Sequence, residues 1–324
     1  MGKDSGMKSK ALGFCALLAC CGLLGGCTTD QYARMLIKQN TSYGKINEAM
    51  VGSSEQLQEQ GTIFAGRRYT MPDKVEIDVW VLKASPKAAP QGTVLAIHGL
   101  CDAKVTYLKL AKMLTEKGFN VVLPDLRAHG RSTGRYVTYG SLETHDQRRV
   151  IDALYEEKIV SGRLLAFGVS LGGSVAIQYA AIDPRVQGVM AMAPLKDLKS
   201  VSRMLMNAPF MSDEDLQTVL IRAGEMGKFD PETASALKAI ATVRCPVMLV
   251  HGKLDTMVPY ADSEELKKAA GGPAELELIP WAGHIGMLFG REAKIVVSLE
   301  KLASGALSAP DDEKEGEEEE EEKD

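Results

Sequence analysis

From Thr93 onward the chain alternates short apolar runs with longer segments of mixed character. The runs Thr93–His98, Phe119–Pro124, Leu164–Phe167, Val186–Ala193 and Pro246–His251 are apolar almost throughout. Runs of that length read as strands buried on both faces. Ala274–Ile279 reads as a further strand. Between them, Ala103–Lys117, Ser141–Lys158, Leu171–Ala181, Asp262–Ala270 and Ile285–Ala303 read as helices. Strands that alternate with helices predict an α/β fold, a mostly parallel sheet with helices on both faces. Val75–Val81, ahead of this series, alternates apolar with polar residues and predicts a half-exposed strand. Residues 195–243 break the rhythm: they hold no clear strand and are rich in Met and Leu. They read as a helical cap inserted between two parts of one core, residues 61–194 and 244–304.

The two ends differ from this body. Residues 27–60 are polar with weak helical periodicity, and read as a tether or a short peripheral helix. Of the formal net charge of −5, residues 311–324 alone carry −9, from eleven acidic residues and two lysines. The tail over residues 305–324 therefore reads as a disordered, solvating end. The body is close to neutral and shows no basic patch, which argues against a nucleic-acid partner. Residues 1–26 open with Lys3, Lys8 and Lys10, and continue as an apolar stretch from Ala11 to Leu24 that is short for a membrane span. That stretch ends Leu24-Gly25-Gly26-Cys27, which resembles the signal of a bacterial lipoprotein, with Cys27 as the lipidated residue. Leu17-Leu18-Ala19-Cys20 is a second match. Cys27 is preferred because the polar Thr28-Thr29-Asp30 follows at once, whereas Cys20 would leave an apolar mature end. The resemblance implies a cell-envelope protein held to a membrane by its N-terminal lipid, on the outer membrane in a Gram-negative cell. The body cysteines, Cys101 and Cys245, fall at opposite ends of the predicted sheet and read as free thiols.

The chemistry centres on Gly168-Val169-Ser170-Leu171-Gly172, which lies between a predicted strand and a predicted helix. That order is the context of a G-x-S-x-G nucleophile elbow. A serine hydroxyl is a weak nucleophile until a base takes its proton and a third group orients the base. Asp255, on the loop after the strand ending at His251, is the candidate acid; Asp197, one strand earlier, is its rival. His284 is the candidate base, the one histidine that follows Asp255. His98 and His251 each end a strand and read as structural, His129 ties down its loop, and His145 reads as a surface residue of a helix. The N–H groups of Leu100 and Leu171 are the candidate oxyanion donors.

Several of these segments carry a resemblance to a known family. His98-Gly99-Leu100, Asp125 to Ser132, Gly168 to Gly173, Gly252-Lys253-Leu254-Asp255 and Gly283-His284 stand in the order found in α/β-hydrolases. The stretch is most similar to the branch of monoacylglycerol lipases and serine aminopeptidase-type hydrolases. The resemblance implies a triad of Ser170, Asp255 and His284, a variable cap, and neither cofactor nor metal. It departs from many relatives at Ala128, and at Leu100 and Cys101, where several carry a further glycine. What it implies is a serine hydrolase acting on a small ester or acyl substrate. An aminopeptidase-type peptidase is the alternative and would need an acidic site for the substrate's ammonium. A lipoprotein that uses the fold only for binding is a third reading. The cap residues Leu195, Leu198, Met204, Leu205, Met206, Phe210, Met211, Leu216, Val219 and Leu220 read either as an apolar lid that sets acyl-chain preference or as packing that glues the cap down.

Overall fold

The computed structural model describes residues 27–38, 51–206 and 211–305. The predicted signal over residues 1–26, the second lipidation candidate Cys20 and the acidic tail beyond Gly305 lie outside the described residues.

Eight strands form one sheet. They are β1 (Ala65–Thr70), β2 (Glu76–Leu82), β3 (Gly92–Ile97), β4 (Phe119–Pro124), β5 (Leu164–Val169), β6 (Val186–Met192), β7 (Val247–Gly252) and β8 (Ala274–Ile279). Their order is β1-β2-β4-β3-β5-β6-β7-β8. The pairs β1/β2 and β2/β4 are antiparallel and all others parallel. The parallel strands explain the unbroken apolar runs, since helices cover both faces. On one face α3 (Leu108–Glu116) and α10 (Glu292–Ser304) pack over Trp80, Phe119, Phe167 and Met190. On the other, α4 (Glu143–Glu156), α5 (Leu171–Ile182) and α9 (Tyr260–Ala269) cover Leu95, Val122, Ala166 and Leu249. Strands β4 and β8 match their predicted ranges, and the other core elements fall within a few residues of theirs. The helices predicted from Ala103 and Ile285 begin instead as 3₁₀ turns, Lys104–Tyr107, which runs straight into α3, and Ile285–Met287, which is separated from α10 by a break.

Two expectations are corrected. Strand β2 is not half-exposed: from Ile77 to Leu82 every residue is buried. The unpredicted β1 covers its edge, and Asp78, one of its polar positions, faces a buried cation rather than water. The segment after Cys27 is not a tether over its first turns. Thr28 caps α1 (Thr29–Ile37) with a reciprocal capping box to Gln31. Ala33, Leu36 and Ile37 of α1 are fully buried, and Asp30 pairs with Arg222 at 2.6 Å. Tyr139 reaches the Leu36 carbonyl at 2.7 Å and Val137 N–H reaches that of Ile37 at 2.9 Å. A second helix, α2 (Ser54–Glu59), is capped the same way by Ser53, and Ser54 accepts from the Trp80 indole at 2.8 Å.

The insertion after β6 stood between two readings, lid and packing. It is helical, with α6 (Leu198–Leu205), α7 (Asp213–Gly227) and α8 (Ala236–Ile240), and α1 packs on α7. Its apolar residues are largely spent on packing. Leu195, Leu198, Leu205, Met206, Leu216, Val219 and Leu220 are buried in the core, and Met211 is partly buried against it. Those seven serve as glue rather than as the wall of an open groove. The Met204 side chain and Phe210 lie outside the described residues. Helix α8 belongs to the body, packed on α5 and α9. Among the described residues no helix is long and apolar enough to cross a membrane.

Candidate active site

Ser170 stands between β5 and α5 with φ 57° and ψ −125°, a region that costs a non-glycine residue about 1–3 kcal/mol. Its surroundings leave no room to relax. A Cβ on Gly172 would stand 2.0 Å from the Ile97 carbonyl oxygen, and one on Gly168 would stand 2.3 Å from the Gly172 backbone. Both glycines are thus required by close backbone approach. Ser170 N–H donates to the Met192 carbonyl at 2.8 Å, which pins the turn to β6. The turn lifts the hydroxyl off the end of the sheet at the start of α5, where the helix dipole is positive.

Two loops bring the other groups to it. After β7, Asp255 Oδ1 accepts the N–H groups of Met257 and Val258 at 2.9 and 2.8 Å, which closes the loop on itself. After β8, Leu254 N–H reaches the Ala282 carbonyl at 3.0 Å and ties the two loops together. His284 then lies 2.6 Å through Nδ1 from Asp255 Oδ2, and 2.9 Å through Nε2 from Ser170 Oγ. The carboxylate can only accept, so Nδ1 carries the proton and Nε2 is left to accept from the hydroxyl. Burial alone would push the Asp255 carboxyl up; the neighbouring His251 and His284 and the Val258 N–H outweigh it and hold the group well below the usual carboxylate range. The arrangement can pass the Ser170 proton to His284 while Asp255 stays charged. Asp197 is elsewhere: its Oδ1 caps the first turn of α6 by accepting Ser200 N–H at 2.6 Å.

Of the two expected oxyanion donors, Leu171 adjoins the serine in the chain, and Leu100 follows a residue that lies against it. Leu171 is the first residue of α5, so its N–H has no acceptor within the helix. Gly99 lies against Ser170, whose Cβ would be 3.6 Å from a Cβ at that glycine, and Leu100 follows it. Neither N–H donates to another of the described residues. Next to Leu100, Cys101 adopts φ 60°, a left-handed conformation that favours glycine.

Groups that read as merely structural hold this loop. His98 Nδ1 donates to the Gly99 carbonyl at 2.8 Å and its Nε2 accepts Leu126 N–H at 2.9 Å. His129 Nδ1 donates to the Arg127 carbonyl and its Nε2 accepts Cys101 N–H at 3.3 Å. Burial lowers the pKa of both imidazoles, which keeps them neutral and able to accept. His145 is exposed, as expected. Lys104 is a group that sequence reasoning missed, because a lysine reads as solvent-facing. It is fully buried, 2.5 Å from Asp125 Oδ2 and 2.8 Å from Asp78 Oδ1, with its ammonium over the Trp80 ring. Its own N–H donates to Asp125 Oδ1 at 2.9 Å, which bolts the end of the Leu100 loop to the end of β4. Cys101, past the C-terminal end of β3, and Cys245, just before β7, are free thiols, each pushed up to about 11 by burial. Among the described residues, no cluster of His, Cys, Asp or Glu is placed to hold a metal ion.

Comparison with known proteins places these features. Residues 88–212 match the family model described as serine aminopeptidase, S33. The uncharacterised protein YfhR of Escherichia coli K12 is 26% identical over 245 residues, covering 74% of this chain and 80% of its own. The monoacylglycerol lipase of Mycolicibacterium smegmatis is 24% identical, covering 65% of this chain and 86% of its own. Among solved structures, the Pyrococcus furiosus esterase Pf2001 superposes with a TM-score of 0.60 at 20% identity, over 78% of this chain and 96% of its own. With the mostly parallel sheet and the strained serine turn already described, these likenesses show an α/β-hydrolase fold, and the chain is similar to the serine aminopeptidase family and to esterase- and lipase-like hydrolases.

Proposed function

We propose that the protein is a serine hydrolase that cleaves carboxylic esters through an acyl-enzyme. The reading is carried by one observation, the unbroken line from Asp255 Oδ2 through His284 to Ser170 Oγ. Ser170 Oγ attacks the ester carbonyl as His284 Nε2 takes its proton, and the carbonyl oxygen gathers charge facing the N–H groups of Leu100 and Leu171. The imidazolium, held by Asp255, gives the proton to the departing alcohol. Water, deprotonated by the same nitrogen, then releases the acid and restores Ser170. No cofactor or metal enters any step. The esterase and the monoacylglycerol lipase among the similar proteins support the ester class.

One observation favours a peptidase of the aminopeptidase type as the second reading. Asp102 sits in the loop between Gly99 and Lys104, with Oδ1 accepting from Thr106 Oγ1 at 2.5 Å, and burial pushes its carboxyl up to about 6. It is a carboxyl three residues past Gly99, which lies against Ser170, and could meet a substrate's ammonium. Turnover of p-nitrophenyl esters from acetyl to dodecanoyl, set against aminoacyl p-nitroanilides, separates the two. The ester reading expects kcat/KM to be larger for esters. A preference for anilides with a free amine would replace it with the peptidase reading, and a folded protein inert to both would leave only a binding role.

We propose further that Cys27 is the lipidated first residue of the mature chain, which sets the enzyme on a membrane of the cell envelope. The support is the Leu24-Gly25-Gly26-Cys27 pattern. One acyl chain binds a bilayer only marginally, so stable attachment needs more than one. Mass spectrometry of the mature N-terminus should find an acylated Cys27; an unmodified N-terminus elsewhere would remove the anchor.

A further inference from the structure

His251 is the penultimate residue of β7, and as a histidine before a glycine it reads as a strand-end filler. Its surroundings ask for more than filling. The ring is fully buried. Nδ1 lies 2.7 Å from the Ser263 hydroxyl on α9, itself buried. Nε2 lies 3.0 Å from the Val258 carbonyl and 3.3 Å from Asp255 Oδ2. A carbonyl oxygen only accepts, so the proton is on Nε2, and Nδ1 accepts from Ser263. The Nε2 proton therefore points at Val258 while standing beside the same carboxylate oxygen that receives His284 Nδ1. Val258 is held from both sides, its carbonyl by His251 and its N–H by Asp255 Oδ1. Both oxygens of Asp255 are thereby fixed, Oδ1 by the loop that His251 braces, and Oδ2 between the two imidazoles.

We propose that His251 is a positioning residue for the hydrolytic triad, one that sets the rotamer of Asp255 and through it the tautomer and aim of His284. The proposal rests on the reading of Ser170, His284 and Asp255 as the reacting groups. Ser263 belongs to the same device, because its hydroxyl proton keeps Nδ1 an acceptor and so keeps the proton on Nε2. A histidine that only filled space could be exchanged for another residue of similar volume at a cost in stability but not in turnover.

Two substitutions at His251 distinguish the cases. His251→Gln can place an amide N–H where Nε2–H now stands, and His251→Leu cannot. In His251→Leu, kcat should fall about a hundredfold with KM nearly unchanged, the scale expected when a catalytic group is misplaced by about 1 Å. His251→Gln should recover most of that loss. The downfield proton resonance of the His284 Nδ1–H should weaken or move in the leucine variant and persist in the glutamine one. A folded His251→Leu with wild-type kcat, or the two variants losing kcat equally with the resonance intact in both, would overturn the proposal. Should the leucine variant not fold, Ser263→Ala decides: it frees the ring to turn and should lower kcat tenfold or more, and wild-type kcat there would overturn it as well. Ser170→Ala keeps the two levels apart. If that variant still hydrolyses substrate, the triad reading itself falls. If it is inert while His251→Leu is fully active, only the role of His251 falls.

Discussion

Ser170→Ala should lose kcat by five to six orders of magnitude and should no longer be labelled by a fluorophosphonate, because triad members act as a unit and the nucleophile is the first of them to be used. The fold should survive. The substitution removes one oxygen and leaves the strained backbone at φ 57° as it is, so the thermal midpoint should stay close to that of the wild type. Ser170→Gly makes a sharper companion. It removes the same oxygen but lets the chain occupy that conformation without the side-chain penalty, and should unfold at a higher temperature, by the equivalent of about 1 kcal/mol or more. An inert but stabilised Ser170→Gly is the signature of strain kept for function. Labelling of a folded Ser170→Ala protein would sink the assignment of the nucleophile.

Asp255→Asn should lower kcat by about ten-thousandfold with little change in KM. The hydrogen bonds dictate how the amide would sit. Oδ1 accepts two backbone N–H groups, so the amide oxygen takes that place and the NH₂ falls where Oδ2 was. There it faces His284 Nδ1 and the Nε2–H of His251, a donor turned toward two groups that need an acceptor. His284 must then give up its Nδ1 proton and carry it on Nε2, aimed at the serine hydroxyl whose proton it should take. Asp197→Asn should leave kcat within about twofold, since Asp197 only caps α6 and an asparagine caps as well. Near-full activity in Asp255→Asn, with a loss in Asp197→Asn, would reverse the assignment of the acid.

The parts of this molecule that could be read in advance are those set by local chemistry. A five-residue turn that needs two glycines, an acid just past a buried strand and a histidine after it are short-range patterns, and the structure brings Ser170, Asp255 and His284 together at hydrogen-bonding distance. The parts that could not be read depend on distant partners. Strand β1 is polar and signals itself weakly; it exists because β2 offers it an edge. Lys104 and Asp78 look like surface residues until the fold buries them against each other and Asp125. The amphipathic stripe of α1 holds Ala33, Leu36 and Ile37 in a single short helix, too few residues to stand out until α7 is there to receive them. The cap left two readings open in the sequence, and the structure spends seven of its apolar residues on packing, a choice that composition alone could not make.

The docking of α1 also bears on the lipidation proposed for Cys27. Had residues 28–60 been loose coil, the body would roam about 30 Å from its anchor, by the usual scaling for a flexible chain. Instead a helix begins two residues after Cys27, clamped by Asp30 to Arg222 and by its apolar stripe to α7. On the lipidation proposed for Cys27, the acyl chains leave the molecule at a fixed point on its surface, so the body rides the bilayer in one attitude, like a keel rather than a buoy. Its encounters then follow from sideways travel along the membrane, and what it can reach is decided by which flank that attitude turns toward the lipid.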